Sequence, residues 1–339
     1  MAITLKKFSL LSSAALALML AACGNDDTDS ANESTDKGST DGDATTEETY
    51  VIGVTQLLEH PSLDAAYEGF QKALEDAGLD VEYKYNTANG DNSANMSVAQ
   101  TLVGDGVDLI FANSTPSAQA AKSATSDIPI VFTSVTDAVG AELIASMESP
   151  GGNVTGTIDL HPDTIANTAA FFKNELDAKK VGTVYNTGEQ NSIAQVEQIK
   201  AALEAEGIEL VEAAVSNSSE VKQATESLLG KVDSLYIFTD NTVVSALDSV
   251  IEVANVNKLP LIVGEMDSVE RGGLAAYGFE YYDIGYEAGQ KAVEILVDGK
   301  SAGEIPATYP ANLKLVINKA TAENVGLEIK ESWNAEVIE

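Results

Sequence analysis

The run Leu235-Tyr236-Ile237-Phe238 passes directly into Thr239-Asp240-Asn241-Thr242, and the helically spaced segment Val243-Val244-Ser245-Ala246-Leu247 follows. A short apolar run ending at N-cap residues reads as a buried parallel strand that delivers the chain to a helix N-terminus. The same design stands 127 positions earlier, where Phe111 of Asp108-Leu109-Ile110-Phe111-Ala112-Asn113-Ser114-Thr115 matches Phe238. The surroundings repeat as well. Gly53 and Gly182 open matching units, Gly78 and Gly207 close matching helices, and both pairs are offset by 129 residues. Pro129-Ile130-Val131 and Pro260-Leu261-Ile262-Val263 are offset by 131. Two β-α-β-α-β-α-β halves with polar residues at their strand ends constrain the chain to an α/β architecture of two doubly wound parallel-sheet lobes. In such sheets ligands sit beyond the carboxyl ends of the strands, so the two lobes are expected to face a shared cleft.

Residues 1–22 carry Lys6 and Lys7, no acid, and an apolar run from Phe8 to Ala22. That run is shorter than the ~20 residues a membrane-spanning helix needs, so the segment reads as a secretory signal. It ends in Leu20-Ala21-Ala22-Cys23-Gly24, which resembles a bacterial lipobox. The resemblance implies cleavage before Cys23 and lipid on its thiol and new N-terminus, a protein anchored to the membrane rather than spanning it. Cys23 is the only cysteine, so an intrachain disulfide is excluded. Residues 24–49 hold nine acids, one base (Lys37) and almost nothing apolar. Such a segment buries too little surface to offset the entropy of ordering, and residues 23–49 are read as a lipidated Cys and a solvated acidic tether. Asp41-Gly42-Asp43 lacks the further ligands of an EF-hand loop. With 53 acids against 19 bases the net charge is −34, and loss of Lys6 and Lys7 makes it still more negative. Nucleic-acid binding and flat docking on anionic lipid both require basic patches that are lacking here.

From Tyr50 onward the pattern predicts strands at Val51–Val54, Val81–Tyr85, Asp108–Ala112, Ile128–Thr133 and Val154–Ile158. Helices are expected at Ser62–Ala77, Asn92–Val103 and Pro116–Ala124 between them. The chain is expected to cross to a second lobe near Asp159. There a helix over Thr164–Leu176 precedes strands at Val181–Tyr185, Glu209–Ala213, Ser234–Phe238 and Leu261–Val263, with helices Ser192–Glu206, Glu220–Leu229 and Val243–Asn255. Leu274–Phe279 is read as a second crossing, Tyr282–Val297 as a long helix, and Lys314–Ile317 as a third crossing. The expected partition is therefore 50–158 plus 280–310 for the N-terminal lobe and 159–279 plus 311–339 for the C-terminal lobe, joined by a multi-strand hinge.

Several segments carry a family resemblance. They are Phe132-Thr133-Ser134-Val135-Thr136-Asp137-Ala138-Val139-Gly140-Ala141, Pro150-Gly151-Gly152-Asn153-Val154-Thr155-Gly156, Tyr185-Asn186-Thr187-Gly188-Glu189-Gln190-Asn191-Ser192, Thr239-Asp240-Asn241-Thr242, Tyr277-Gly278-Phe279-Glu280-Tyr281-Tyr282-Asp283-Ile284-Gly285 and Leu313-Lys314-Leu315-Val316-Ile317-Asn318-Lys319. Over about Tyr50 to Lys330 the chain resembles the tryptophan/tyrosine-type substrate-binding proteins of bacterial ABC importers, which often have Pro where Ala138 stands. The resemblance implies a type I periplasmic-binding-protein fold that closes on a small molecule, an amino acid with aromatic ones favoured. It also implies a permease and ATPase as partners, a monomer, no cofactor, no metal and no catalysis.

Candidate ligand contacts are the polar residues at strand ends. Gln56 and Glu59 follow the first strand; Asn113, Ser114 and Thr115 the third; Thr133, Thr136 and Asp137 the fourth. From the other half come Asn186, Glu189, Asn191, Ser192, Thr239, Asp240, Asn241 and Glu265. Helix N-termini behind Ser114 or Ser192 favour a carboxylate. Asp240, Glu189 or Glu265 is suited to an ammonium, and Tyr67, Tyr185 or Tyr277 to stacking on an apolar side chain. Two other functions share these features: a hydrolase built on Asp240 and Glu265, and a tethered sensor that presents the bound solute to a receptor. His60 and His161 are the only histidines, each precedes a proline in a loop, and no nucleophile elbow, P-loop or His-Glu-x-x-His occurs.

Overall fold

The computed structural model describes residues 49–339; the signal segment, Cys23 and nearly all of the acidic tether lie outside the described residues. The first half supplies β1 (Thr49–Gln56), α1 (Pro61–Asp76), β2 (Asp80–Thr87), α2 (Asn95–Gly104), β3 (Leu109–Asn113), α3 (Thr115–Ala124), β4 (Ile130–Val135) and β5 (Val154–Ile158). Its five strands form an all-parallel sheet in the order β2-β1-β3-β4-β5. The doubly wound character is visible residue by residue along β3. Leu109 and Phe111 join one apolar layer with Ile52, Phe70 and Val131, while Ile110 and Ala112 join the opposite layer with Leu102, Ile130 and Phe132.

The second half supplies α4 (Thr164–Asn174), β6 (Lys180–Asn186), α5 (Gln190–Ala205), β7 (Glu209–Val215), α6 (Val221–Ser227), β8 (Ser234–Ile237), α7 (Asn241–Ser245), α8 (Leu247–Asn257), β9 (Leu261–Val263), α9 (Met266–Glu270) and β10 (Ala275–Gly278). The chain then forms α10 (Tyr281–Leu296), β11 (Lys314–Asn318), α11 (Lys319–Val325) and β12 (Glu336–Ile338). The second sheet has the order β12-β11-β10-β9-β8-β6-β7, and only its β10–β11 pair is antiparallel. Tyr236 and Phe238 face one apolar layer, Leu235 and Ile237 the other.

Three expectations need correcting. Val243–Asn255 is not one helix. It breaks at Ala246 (φ −109°, ψ 17°), where the hydroxyls of Ser245 and Ser249 donate back to the carbonyls of Thr242 and Ala246 and compete with the helical ladder. Leu274–Phe279 and Lys314–Ile317 are not themselves crossings, because β10 and β11 are paired strands of the second sheet. The passages lie beside them, after Gly278 and between Thr308, which bridges to Thr157 of β5, and Lys314.

After the second passage α10 packs along α1 of the first sheet. The two backbones approach so closely that a Cβ on Gly285 would stand 1.9 Å from the carbonyl oxygen of Ala66, and one on Gly69 would stand 2.1 Å from that of Tyr282. The lobes also touch at their strand ends. Ser62 donates to Glu265 at 2.8 Å, Gln195 to Thr136 at 3.4 Å, and Asn92 to the carbonyl of Gly188 at 3.5 Å. Polar residues on both facing surfaces are buried, and the cleft is closed.

Candidate functional site

The sequence-predicted residues at the strand ends separate into two internal networks and a smaller set at the lobe junction. In the second lobe the strand β8 ends at Ile237, two residues before Thr239, and the N-terminus of α7 falls at Asn241. Asp240 is its N-cap: Oδ1 accepts the Val243 amide at 2.8 Å, and Oδ2 accepts the Asn186 amide and the Ser192 hydroxyl, both at 2.6 Å. Glu189 sits beneath the same turn. Its Oε1 accepts from the amide and hydroxyl of Thr242 and from the side-chain amide of Asn186. Its Oε2 accepts from the amide and side chain of Asn241 and from Asn191. Both acids are wholly buried, and burial, then the neighbouring Glu189 charge, raises the Asp240 carboxyl above the usual range. Thr239 completes the network, its hydroxyl accepting from Gln195 at 2.7 Å and its carbonyl from Asn191 at 3.0 Å.

The first lobe has a counterpart built mainly of amides and hydroxyls. Asn113 donates to Gln56 at 2.9 Å and to the Leu63 carbonyl at 2.7 Å, and accepts from Ser134 at 2.8 Å. Gln56 donates to the Leu58 carbonyl and to Asp64. Thr133 pairs with Thr157 at 2.8 Å between β4 and β5. Ser114 (φ 116°) and Ser134 (φ 55°) hold left-handed backbone at the ends of two adjacent strands, and Ser114 caps α3 through the Ser117 amide at 3.4 Å. Two buried non-glycine residues in this region mark backbone strain, which is sustained only where the surrounding structure over-determines it. Thr115, the first residue of α3, has a buried hydroxyl without a partner.

Each of the three tyrosines packs against other aromatic rings. Tyr67 lies against Tyr83, Tyr85 and Phe111 on the first sheet; Tyr185 lies near Phe238 and donates to Glu212. Tyr277 packs edge-on against Phe171 at 6.3 Å in the core layer of the second lobe, because its position in β10 points it to the α4 side of the sheet. Asp137 caps its own turn through the Gly140 amide, and Glu59 is exposed on the rim.

At the chain crossings Glu265, a candidate from sequence, is joined by Asp159, Tyr281 and His60, which were not singled out as ligand contacts. Asp159 directly follows β5, and Tyr281 opens α10 after the second crossing; the Tyr281 hydroxyl donates to Asp159 Oδ2 at 3.0 Å. Asp159 Oδ1 is buried and has no partner. Burial raises this carboxyl to about 6, with Tyr281 and Thr136 partly offsetting it. Glu265, which follows β9 by two residues, accepts from Ser62 of the first lobe and from Ser268, and burial first, with the fields of Asp267 and Asp159 adding, raises it to about 8. His60, the residue before α1, is buried and held down to about 3 mainly by that burial, and its Nδ1 has no partner. Phe279 stacks on Tyr281 at 5.5 Å beside these groups. The only sequence signal for Asp159 was an acid at a strand end and a crossing. Among the described residues no group of three or more His, Cys, Asp or Glu is placed to hold a metal. Nor is any helix among them long and apolar enough to cross a membrane.

Comparison with known proteins follows this geometry. The family model described as ABC transporter substrate binding protein matches residues 51–338. The chain is 45% identical over 292 residues to a tyrosine-binding protein of Clostridioides difficile strain R20291, covering 85% of this chain and 84% of that one. The ABC domain from Streptococcus pneumonia in complex with L-Trp superposes with a TM-score of 0.81 at 32% identity, covering 86% of this chain and all of that one. The ligand-free, open structure of a substrate-binding protein with adhesive properties from Clostridium difficile gives only 0.64 despite 39% identity, over 86% of this chain and 99% of that one. The poorer fit to the open structure, at higher identity, agrees with the hydrogen bonds that join the two lobes of this chain. A two-lobed fold of doubly wound sheets with a buried polar junction, matched along nearly its whole described length, places the chain in the ABC transporter substrate-binding protein family.

Proposed function

We propose that this protein binds an aromatic amino acid, L-tyrosine or L-tryptophan, between its lobes. We further propose that it hands this ligand to an ABC permease and ATPase from the outer face of the membrane, held there by lipid on Cys23. Substrate-binding proteins of this family work outside the cytoplasm with a small solute and an ABC transporter as partners. The observation that carries the amino-acid reading is the pair of buried acids at the lobe junction, Asp159 and Glu265, neither of which has a Lys, Arg or His within ion-pair distance among the described residues. A buried carboxylate without a counter-charge is strongly unfavourable, so a cationic group on the ligand fits this junction better than a neutral sugar does. The N-terminus of α3, capped by Ser114 in a helix that meets α5 of the other lobe, suits the ligand carboxylate. The tyrosine-binding relative and the L-Trp complex support the aromatic side chain.

The test is calorimetry on unfolded-and-refolded, ligand-free protein with tyrosine, tryptophan, phenylalanine and the branched amino acids. Tight binding of an aromatic amino acid with no chemical change in it is the expected outcome. Binding of a sugar, nucleoside or peptide instead would overturn the amino-acid reading, and turnover of the bound compound would overturn the transport reading.

A further inference from the structure

The four buried acids at the strand ends are not equivalent. Asp240 accepts three hydrogen bonds and Glu189 six, all from groups of their own lobe. Their charge is dispersed over backbone amides and hydroxyls that do not move when the lobes separate. Asp159 differs. It accepts from Tyr281 on one oxygen, and its other oxygen is buried without a donor. It stands where two crossings meet, so it belongs to neither lobe alone. Glu265 reaches the same place from the second lobe, near enough to feel the field of Asp159, and is held by Ser62 of the first. Tyr281 feels both acids. The only arginine in the sequence, Arg271, is occupied by Asp248 and the Val244 carbonyl.

We propose that Asp159, seconded by Glu265, is the cation receptor of the interlobe site and binds the ammonium of the amino acid directly, whereas Asp240 and Glu189 only build the wall behind it. This rests on the amino-acid reading above. An ammonium carries three donors and a full charge, and Asp159 Oδ1 is a buried acceptor beside the Thr136 hydroxyl with no donor in good hydrogen-bond geometry. Glu265 is held at the junction by Ser62 of the other lobe, which ties capture of the cation to closure.

The experiment pairs two ligands with two proteins. L-tyrosine and its des-amino analogue 3-(4-hydroxyphenyl)propionate are titrated into wild type and Asp159→Asn, with circular dichroism confirming the fold. In wild type the analogue is expected to bind roughly 100-fold more weakly than tyrosine, because it leaves both acids buried and unpaired. Asp159→Asn is expected to lose roughly 100-fold for tyrosine yet change by less than about threefold for the analogue, a coupling that a merely structural role does not produce. Equal losses for both ligands, or an unchanged tyrosine affinity, would overturn the proposal while leaving the amino-acid reading intact. If wild type binds no amino acid, that reading fails and this proposal fails with it. Should Asp159→Asn not fold, Glu265→Gln is titrated in the same way. A selective loss of about tenfold for tyrosine is then expected, and the absence of selectivity overturns the assignment.

Discussion

The hydroxyl of Ser192 donates to Oδ2 of Asp240 at 2.6 Å, joining the first turn of α5 to the N-cap of α7 across the carboxyl edge of the second sheet. With the Asn186 amide on the same oxygen and the Val243 amide on the other, the carboxylate is fully engaged before any ligand arrives.

Asp240→Ala is therefore expected to act on stability. It removes a cap and leaves two buried donors without an acceptor, for a loss of about 2–4 kcal/mol, with relief of repulsion from Glu189 offsetting part of it. Chemical denaturation measures the loss. The dissociation constant for tyrosine at a temperature where the variant is folded is expected to stay within about threefold of wild type. A larger effect on affinity than on stability would return Asp240 to the ligand shell.

Gly285 makes a second, purely steric prediction. Its missing Cβ would collide with the Ala66 carbonyl, which is backbone and has no rotamer to change. Gly285→Ala should force α10 off α1 and cost about 1–3 kcal/mol or more. Gly104 lies at the end of α2 with nothing near its Cβ position, so Gly104→Ala should be neutral or stabilising by a few tenths to about 1 kcal/mol. Thermal unfolding of the two variants side by side tests the contact; equal midpoints would contradict it.

The contrast between these residues shows what the sequence could disclose. The repeat built around Phe111 and Phe238, the strand ends and the glycine-closed helices are local patterns, and local patterns set both sheets and their polar edges. The function of each polar edge residue is not local. Asp240 as cap and Asp159 as free acceptor are both acids just beyond a strand, and only the donors arriving from Asn186, Ser192 and Tyr281 tell them apart. Tyr277 was equally opaque: its ring turns toward Phe171 because of strand pleat, a matter of which face β10 presents. The break at Ala246 was hidden for a different reason, since neither Gly nor Pro marks it and the disruption comes from serine hydroxyls bonding back to the helix.

Cys23 lies outside the described residues, and its lipidation is a prediction from Leu20-Ala21-Ala22-Cys23 alone. Expressed in a lipidating bacterium, wild type is expected in the detergent phase of a two-phase extraction and Cys23→Ala in the aqueous phase. Equal partitioning of the two would remove the anchor.

The last prediction concerns closure of the empty protein, which the acids at the junction make a titration. Asp159 at about 6 and Glu265 at about 8 both stand above the ordinary carboxylate range, chiefly because they are buried at the lobe junction. In an open protein they meet water and revert toward ordinary values, so the closed form binds more protons than the open one. The sign follows directly: falling pH favours closure, and rising pH through about 6 and then about 8 opposes it, by up to ~1.4 kcal/mol per pH unit for each proton taken up. His60, held to about 3, stays neutral across this window and contributes nothing, while Asp240, raised to about 7 chiefly by burial, keeps its three donors in either form because they are in its own lobe. A bound ammonium supplies the charge that protons otherwise supply. Small-angle scattering of ligand-free protein is therefore expected to show a smaller radius of gyration near pH 5.5 than near pH 8.5. With saturating tyrosine the radius should be small at both, and in the Asp159→Asn/Glu265→Gln double variant the ligand-free protein should lose its pH dependence. A ligand-free radius that is constant across the window, or one that grows as pH falls without loss of helical signal, would show that these acids do not govern closure.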